Sequence, residues 1–548
     1  VEPNTPVGTD VRVDGPEMMT EHEDDVWEAS VIYSTVTAAG VTSFEPLERT
    51  PSVPEGVSFL RNDGDYALQV TTTATHSGAI TVEVRYLSSL IGIAEEEALN
   101  LWYWETPAST PVKITTEVHP ETDTVVGSVD ALGIFAIGYS AADMPEDTIY
   151  VSKSGSDTLN DGTYSKPYLT VTKAMSVAAY GDRVLVMPGT YRESASVGLK
   201  SGVHLMGSGR DGTVIEGTVR FGSVVHATGV DESAMLSGFT LNGATKTSTA
   251  LLVTDADPRV WDCVVTGSTS GSQGGGVSVS GQSSAAVMDC IISGNEVSGS
   301  GGGVCAYDGA TLRMEECDIT LNTAANRGGG VYCESATLIL SDCDVAANSA
   351  AAGGGIAFLT AQPSEVLGGR ISENAASGDG GGIYVSGSAP VISNVVVSEN
   401  TAVRGGGIFC SDSPAVVVND TIVSNQAAIM GDVGDGLECT GPDLPVVFNC
   451  VFSNRYDIQG CEVHYCRLSS EQADEGTHNL SVDPMFVDFG DYRLRPGSRV
   501  VDAGTGEYGG VAVWPTDALG TPRTQGAAPD MGAYERTPNT PAGVSVVV

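Results

Sequence analysis

The chain has 548 residues, a mass of 56.3 kDa and 26 Lys and Arg against 69 Asp and Glu, a formal net charge of −43. Its length exceeds one ordinary compact domain and predicts roughly two to four. The charge excludes nucleic acid and anionic membrane as partners, since both need basic patches. A hydrophobic share of 41% with 17% charged residues excludes a disordered acidic tail.

No run of eighteen apolar residues occurs, so no transmembrane helix is expected. The chain begins at Val1 and shows no signal-peptide hydrophobic segment, so a processed, secreted, extracellular protein is the expectation. Eleven cysteines leave at least one thiol unpaired within the chain. The 68 glycines predict many tight turns and close backbone approaches.

Residues 1–144 read as a β-sandwich. Val70–Thr75, Ala79–Tyr86, Leu99–Trp104 and Ile134–Ile137 are β-branched or aromatic runs between turn signals, with no long helical period. Trp102 and Trp104 are expected in its core rather than on a sugar-stacking surface. The stretch Ser140–Asp147 reads as a linker.

Residues 145–480 carry an internal repeat. Gly-Gly-Gly-(Val/Ile) starts at Gly274, Gly301, Gly328, Gly353, Gly380 and Gly405. Asn295, Asn322, Asn348, Asn374, Asn400 and Asn425 keep the same step of 25 to 27 residues, and Asn454 extends the series after an insertion. Cys263, Cys290, Cys317 and Cys343 form a third series. The apolar runs within a unit, such as Leu338–Leu340, are too short for helices. A period of about 26 residues with two or three short strands predicts a right-handed parallel β-helix, on the order of 13 coils and roughly 60 Å long.

In that fold the Asn series is expected at a tight left-handed bend, each amide bonding those above and below. The Gly triplets suit a sharp corner or a close approach. The four Cys are expected inward, as free thiols stacked like small hydrophobes. Cys439, Cys450, Cys461 and Cys466, past the regular repeat, are the candidates for a disulfide. A short capping helix is predicted with Ser165 as its N-cap, an apolar face of Tyr168, Leu169, Val171, Ala174, Met175 and Ala178, and its end at Gly181. Residues 481–548 form an irregular C-terminal cap and tail rich in Pro and Gly.

The run from Ile149 onward resembles secreted right-handed parallel β-helix surface proteins of bacteria and archaea. The matching residues are Tyr150–Ser152, Gly155–Asp157, Asp161–Thr163, Lys166–Tyr168 and Gly181–Tyr191 at the start. At the close they are Asp483–Asp488, Tyr492–Leu494, Pro496–Ser498, Asp502–Gly504 and Asp530–Glu535. The closing segment is similar to one that often precedes a sorting anchor; here the chain stops at Val548 without one. The N-terminal region resembles a sandwich domain of large bacterial surface proteins, on Thr71–Thr75, Ser77-Gly78, Leu101–Trp104, Ile114–Thr116 and Gly127–Val129 leading to Phe135–Gly138. These resemblances imply fold and secretion, and say little about activity.

Parallel β-helices include polysaccharide lyases and hydrolases, which need paired carboxylates or a basic residue beside a Ca²⁺ cluster. None of the seven His lies between 227 and 463, and the coils' basic residues Arg259, Arg313, Arg327, Arg370, Arg404 and Lys246 are scattered. The coil exteriors read as mostly Ser, Thr, Ala and Gly, with little aromatic surface. Glu315, Glu316 and Asp318 with Asp342 and Asp344 on the next coil read as solvated acids, with a Ca²⁺ site or catalytic pair as the second reading. Asp432, Asp435 and Glu438 form a loop with a Ca²⁺-like pattern that departs from the EF-hand spacing. Asp157 and Asp161 are further Ca²⁺ candidates, read first as Asx turns.

The reading is an all-β, non-enzymatic extracellular structural protein without a cofactor, whose partner is itself. It assembles into a filament, sheath or surface layer, with 1–13 or 543–548 added as a strand to a neighbouring subunit. The alternative is a polysaccharide-binding or polysaccharide-degrading β-helix, or an adhesin.

Overall fold

The structure, a computed structural model, describes residues 5, 7–14, 18–19, 26–27, 29–47, 57–59, 67–85, 99–119, 124–140, 148–217, 222–243, 249–270, 274–428, 434–469, 472, 476–523 and 525–536. The linker 141–147, Asp432, Lys246 and the tail 543–548 lie outside the described residues. The chain divides into two compact units, 1–148 and 149–547.

The first unit is a β-sandwich of two antiparallel sheets. One orders Gly8–Asp14, Ala29–Ala38, Thr75–Arg85, Thr124–Val129 and Thr115–His119; the other orders Val112–Lys113, Leu99–Trp104, Ile134–Ser140, Ala67–Thr72 and Thr42–Leu47. Alternation buries one side of each strand, so Val31, Tyr33, Ile80, Val82, Leu101, Val125 and Phe135 meet in one core. Trp104 is fully buried against Ile134 and Ala136, and Trp102 packs beside them. Gly8–Asp14 pairs along its length with Ala29–Ala38 of the same chain. That segment is a strand of its own sandwich.

The second unit is a parallel β-helix. A typical coil runs through Val277–Ser280, Ser284–Met288, Ile291–Ser293 and Glu296–Val297 before returning at Val304. Each strand pairs in parallel with its counterpart one coil on, giving sheets of 23, 11 and 7 strands. The eleven-stranded sheet counts the coils, from Val197–Gly198 to Ile458–Gln459. That is fewer than the period alone predicts, because residues 149–196 and those after Gln459 add no strand to this sheet. Inward Val, Ile, Leu and Phe make one continuous core, each fully buried side chain worth about 1.5–3 kcal/mol.

The Asn residues form a buried ladder. Asn322 Nδ2 donates to Ile292 O on the coil before (2.8 Å) and to Asn348 Oδ1 on the coil after (3.0 Å). Asn322 N–H donates to the same Oδ1 at 2.9 Å. Asn348, Asn374 and Asn400 repeat the pattern, and Asn454 continues it through Asn425 to Asp457. Asn295 opens the ladder by accepting from Ser268 N–H. The left-handed bend falls one residue earlier than expected, on Leu321, Ala347, Glu373 and Glu399 with φ of 54 to 57°. The bend turns the following Asn inward, where its amide has no water and must bond the stack.

The Gly triplets are where successive coils touch by backbone. A Cβ on Gly302 would lie 2.4 Å from Gly329 O, and one on Gly354 2.5 Å from Gly381 O. The close approach is thus by the next coil's own main chain.

All eleven cysteines are buried free thiols. Cys450 and Cys466 follow left-handed residues as Cys263, Cys290, Cys317 and Cys343 do, so they continue that inward stack. Cys439 occupies the position of Cys410 one coil on. The disulfide expected among Cys439, Cys450, Cys461 and Cys466 is absent, because side chains stacked in parallel register rarely take the required dihedral. Burial pushes the Cys290 thiol well above its usual range. A thiol reagent is therefore expected to label none of the eleven cysteines in the folded protein, and all eleven after unfolding without reductant. Fewer than eleven on unfolding would reveal a disulfide.

The helix is Val171–Val177, capped by Thr170, whose Oγ1 accepts from Lys173 N–H. Ser165 is not the cap: Thr163 and Lys166 bridge in a turn and Tyr168 pairs with Val151, so the chain is extended until Thr170. Glu193 accepts from Val171 N–H (2.9 Å) and Thr172 N–H (3.2 Å), a carboxylate from the first coil that completes the helix start. Val171, Ala174 and Met175 join the coil core.

The closing segment does not sit only over the end of the stack. It lies along the outer side of the last coils: Asn394 donates to Thr516 O, Asn419 to Asp530 O and Asn449 to Thr505 O. Outward Val396 and Val423 pack on Tyr492 and Ala533, and Val451 on Leu494, Val500 and Met531.

Candidate functional site

A depression lies on the last coils, beside the closing segment. Its volume is about 550 Å³. Val446 of strand Val446–Phe448, Gln459 of strand Ile458–Gln459 and His464 of strand Val463–His464 line it from the coils, with Leu444 and Glu462 from the turns. Tyr508 of the hairpin Glu507–Tyr508/Val511–Ala512 closes it from the closing segment.

Tyr508 is the hub of an aromatic group. Its ring stacks on His464 at 4.3 Å and 27°, tilts against Phe448 at 5.9 Å and meets Tyr465 edge-on at 6.3 Å. Tyr465 in turn stacks on His478 at 4.4 Å and 1°. Thr477 N–H donates to His464 Nδ1 at 3.1 Å, which assigns the proton of the neutral imidazole to Nε2. Burial, reinforced by His478 and opposed by Glu462, lowers the His464 pKa, so the ring is neutral at neutral pH. Gln472 is spent on the backbone of Asp457 and Ile458, whereas Gln459 and Glu462 are exposed. The depression therefore offers ring faces, an apolar floor, a neutral imidazole, an amide and a carboxylate.

Two other constellations lie on the coil walls. Asp318, Asp344 and Arg370 occupy one register position on three successive coils. Burial raises the Asp344 pKa, with Arg370 opposing and Asp318 reinforcing. Glu315 pairs in register with Ser341, and Glu316 and Asp342 are left-handed corner residues. On the eleven-stranded sheet, Tyr384 and Phe409 stack at 5.7 Å and 6°, with Arg404 over Phe409 and bound to Asp379 at 2.7 Å. Glu438 lies next in register to Phe409, 4.0 Å from Arg404, its pKa raised by burial. The sequence reading missed this aromatic column; its signal is the residue that follows each Gly-Gly-Gly-(Val/Ile), which gives Ser278, Cys305, Tyr332, Ala357, Tyr384 and Phe409.

Among the described residues the Ca²⁺ candidates do not converge. Asp435 is fully buried, paired with Arg455 at 3.0 Å and accepting from Ala427 N–H and Tyr456 N–H, while Glu438 faces Arg404. Asp157 accepts from Leu169 N–H, Thr170 N–H and Thr170 Oγ1. Asp161 holds the Thr163 turn. Among the described residues no group of three His, Cys, Asp or Glu is disposed to hold a metal ion.

The stacked parallel coils define the protein as a parallel β-helix. The profile described as right handed beta helix region matches residues 275–451, and that of a protein of unknown function (DUF1565) matches 153–354. No curated protein matches the chain. Among solved structures it is similar to pectate lyase Pel9A, at 15% identity over 72% of this chain and 97% of that one, TM-score 0.43. It is also similar to the catalytic unit of a GH87 alpha-1,3-glucanase from Streptomyces thermodiastaticus, at 13% identity over 84% and 90%, TM-score 0.30. The Dettilon tailspike protein is similar at 13% over 62% and 69%, TM-score 0.33. At these identities the likenesses say nothing of what this chain binds. No helix among the described residues is long and apolar enough to cross a membrane.

Proposed function

We propose that this protein is a secreted β-helix that binds a neutral polysaccharide in the depression between the last coils and the closing segment. The carrying observation is the Tyr508–His464 ring wall beside Gln459 and Glu462. A sugar ring presents C–H faces that suit aromatic rings and hydroxyls that suit an amide and a carboxylate, and such a mixture marks ligand clefts. The net charge of −43 disfavours an anionic glycan. Self-assembly into a filament is the second reading: Gly8–Asp14 is paired within its own sandwich, and 543–548 lies outside the described residues.

Titration of the protein with soluble neutral polysaccharides in a calorimeter tests the reading. Tyr508→Ala is expected to weaken binding about tenfold, equivalent to about 1.4 kcal/mol. Unchanged affinity in that variant, or no binding to any neutral glycan, would sink it. A reducing-end assay on the same mixtures separates binding from cleavage, for which the Asp318–Asp344–Arg370 line is the place to substitute.

A further inference from the structure

Beneath the closing segment lies a buried ionic cluster that the proposed glycan site does not use. Arg523 is 1% exposed, its Nη2 donating to Asn394 Oδ1 on the coil wall at 2.6 Å and to Ala533 O at 2.9 Å. Its Nη1 lies 3.6 Å from Glu535 Oε2, and neither Nε nor Nη1 has a hydrogen-bond partner. Asp517, Asp530 and Glu535 from the closing segment and Asp420 from the coils are all buried around it. Four carboxyl groups thus share one guanidinium.

The cluster is also the joint. Glu535 Oε2 accepts from Asp530 N–H at 2.9 Å, Asp517 Oδ2 accepts from Glu535 N–H, and Asp530 accepts from Asp502 N–H and Arg536 N–H. On the wall, Asp420 Oδ1 accepts from Val395 N–H, while its Oδ2 and Asn419 Oδ1 are unpartnered; Cys450 lies beside Asp420. Thr421 Oγ1 accepts from Ala533 N–H, two residues before Glu535. The charged groups that act on Glu535 are Asp530, Arg523 and Asp517. Full ionisation would leave a net charge of about −3 on buried groups, which is costly.

We propose that this cluster is a proton-dependent latch that clamps the closing segment, and with it Tyr508, against the coils in mild acid and loosens it as pH rises. The consequence for ligand binding rests on the depression being the glycan site; the latch itself does not. Burial raises the Glu535 pKa from 4.5 to about 7, against the weaker pull of Arg523. Burial raises Asp530 and Asp420 in the same direction. A carboxyl that keeps its proton when docked and loses it when free favours docking in acid. For Glu535 the advantage is complete below about pH 4.5, declines up to about 7 and is gone above it.

Hydrogen exchange of peptides from 481–536 at pH 5 and pH 8, corrected for intrinsic rates, tests the latch on the whole protein. The docking equilibrium is expected to weaken by tens of fold between the two, following the linkage relation. In Glu535→Gln, which keeps the shape without the titration, at least a tenfold part of that difference should disappear. Equal protection of the wild-type segment at both pH values, or an undiminished difference in Glu535→Gln, would overturn the proposal. Calorimetry with a neutral polysaccharide at both pH values is the second arm. An intact exchange difference with no binding at either pH would sink the glycan reading alone.

Discussion

Asn374→Ala is expected to destabilise the β-helix by about 3–5 kcal/mol, read as a fall in the denaturant midpoint. The substitution removes Oδ1, which accepts from both Asn348 N–H and Asn348 Nδ2–H, and it removes the Nδ2 donor that serves Val345 O and Asn400 Oδ1. Asn374 is 0% exposed, so water does not replace these partners. Each orphaned buried group costs about 1–3 kcal/mol. The neighbouring substitution Glu373→Gly should behave in the opposite way. Glu373 has φ of 56° and an outward side chain, so glycine relieves left-handed strain there and stability should hold or rise by up to about 1 kcal/mol. A destabilised Glu373→Gly with a neutral Asn374→Ala would refute the ladder as the source of stability.

Arg523→Met is expected to free the closing segment from the coils. Methionine preserves the apolar stem but leaves Glu535, Asp517, Asp530 and Asp420 with no cation among them. Breaking a buried ion pair by removing one partner costs about 3–5 kcal/mol. The loss should be largest above pH 7, where Glu535 would otherwise ionise beside Arg523, and smaller at pH 5, where its proton removes the need for a counter-charge. Limited proteolysis shows the outcome directly: cleavage within 481–536 should quicken while the coils stay resistant. Arg523→Lys should not restore the wild-type rate, because an ammonium group cannot reach Asn394 and Ala533 with the same planar fork. Proteolysis of the segment at the wild-type rate in Arg523→Met would refute the joint.

Much of this architecture is written in the chain as period. Gly, Asn and Cys recur at one step, and only a stack of equivalent coils brings such residues into register. The same periodicity made the inward position of Cys290 and the stacked amides of Asn322 and Asn348 legible. It misplaced the left-handed residue by one, because glutamate and alanine take that conformation here under the pressure of the coil rather than by preference. It placed the helix cap at Ser165, where a local turn and a pairing to Val151 keep the chain extended.

The site was far less legible. His464 and Tyr508 are 44 positions apart in a stretch with no repeat, and nothing local says that their rings stack. Arg523 looks like one surface arginine in a Pro- and Gly-rich segment, yet it is among the largest fully buried side chains. The sequence by itself determined the coil and its core, because those depend on residues that recur and on contacts one period away. Only the tertiary structure decided where the closing segment lies and what it covers. Those contacts join single, non-repeating residues, such as Asn394 to Thr516 and Asn419 to Asp530, whose pairing follows from shape and burial rather than from any period in the chain.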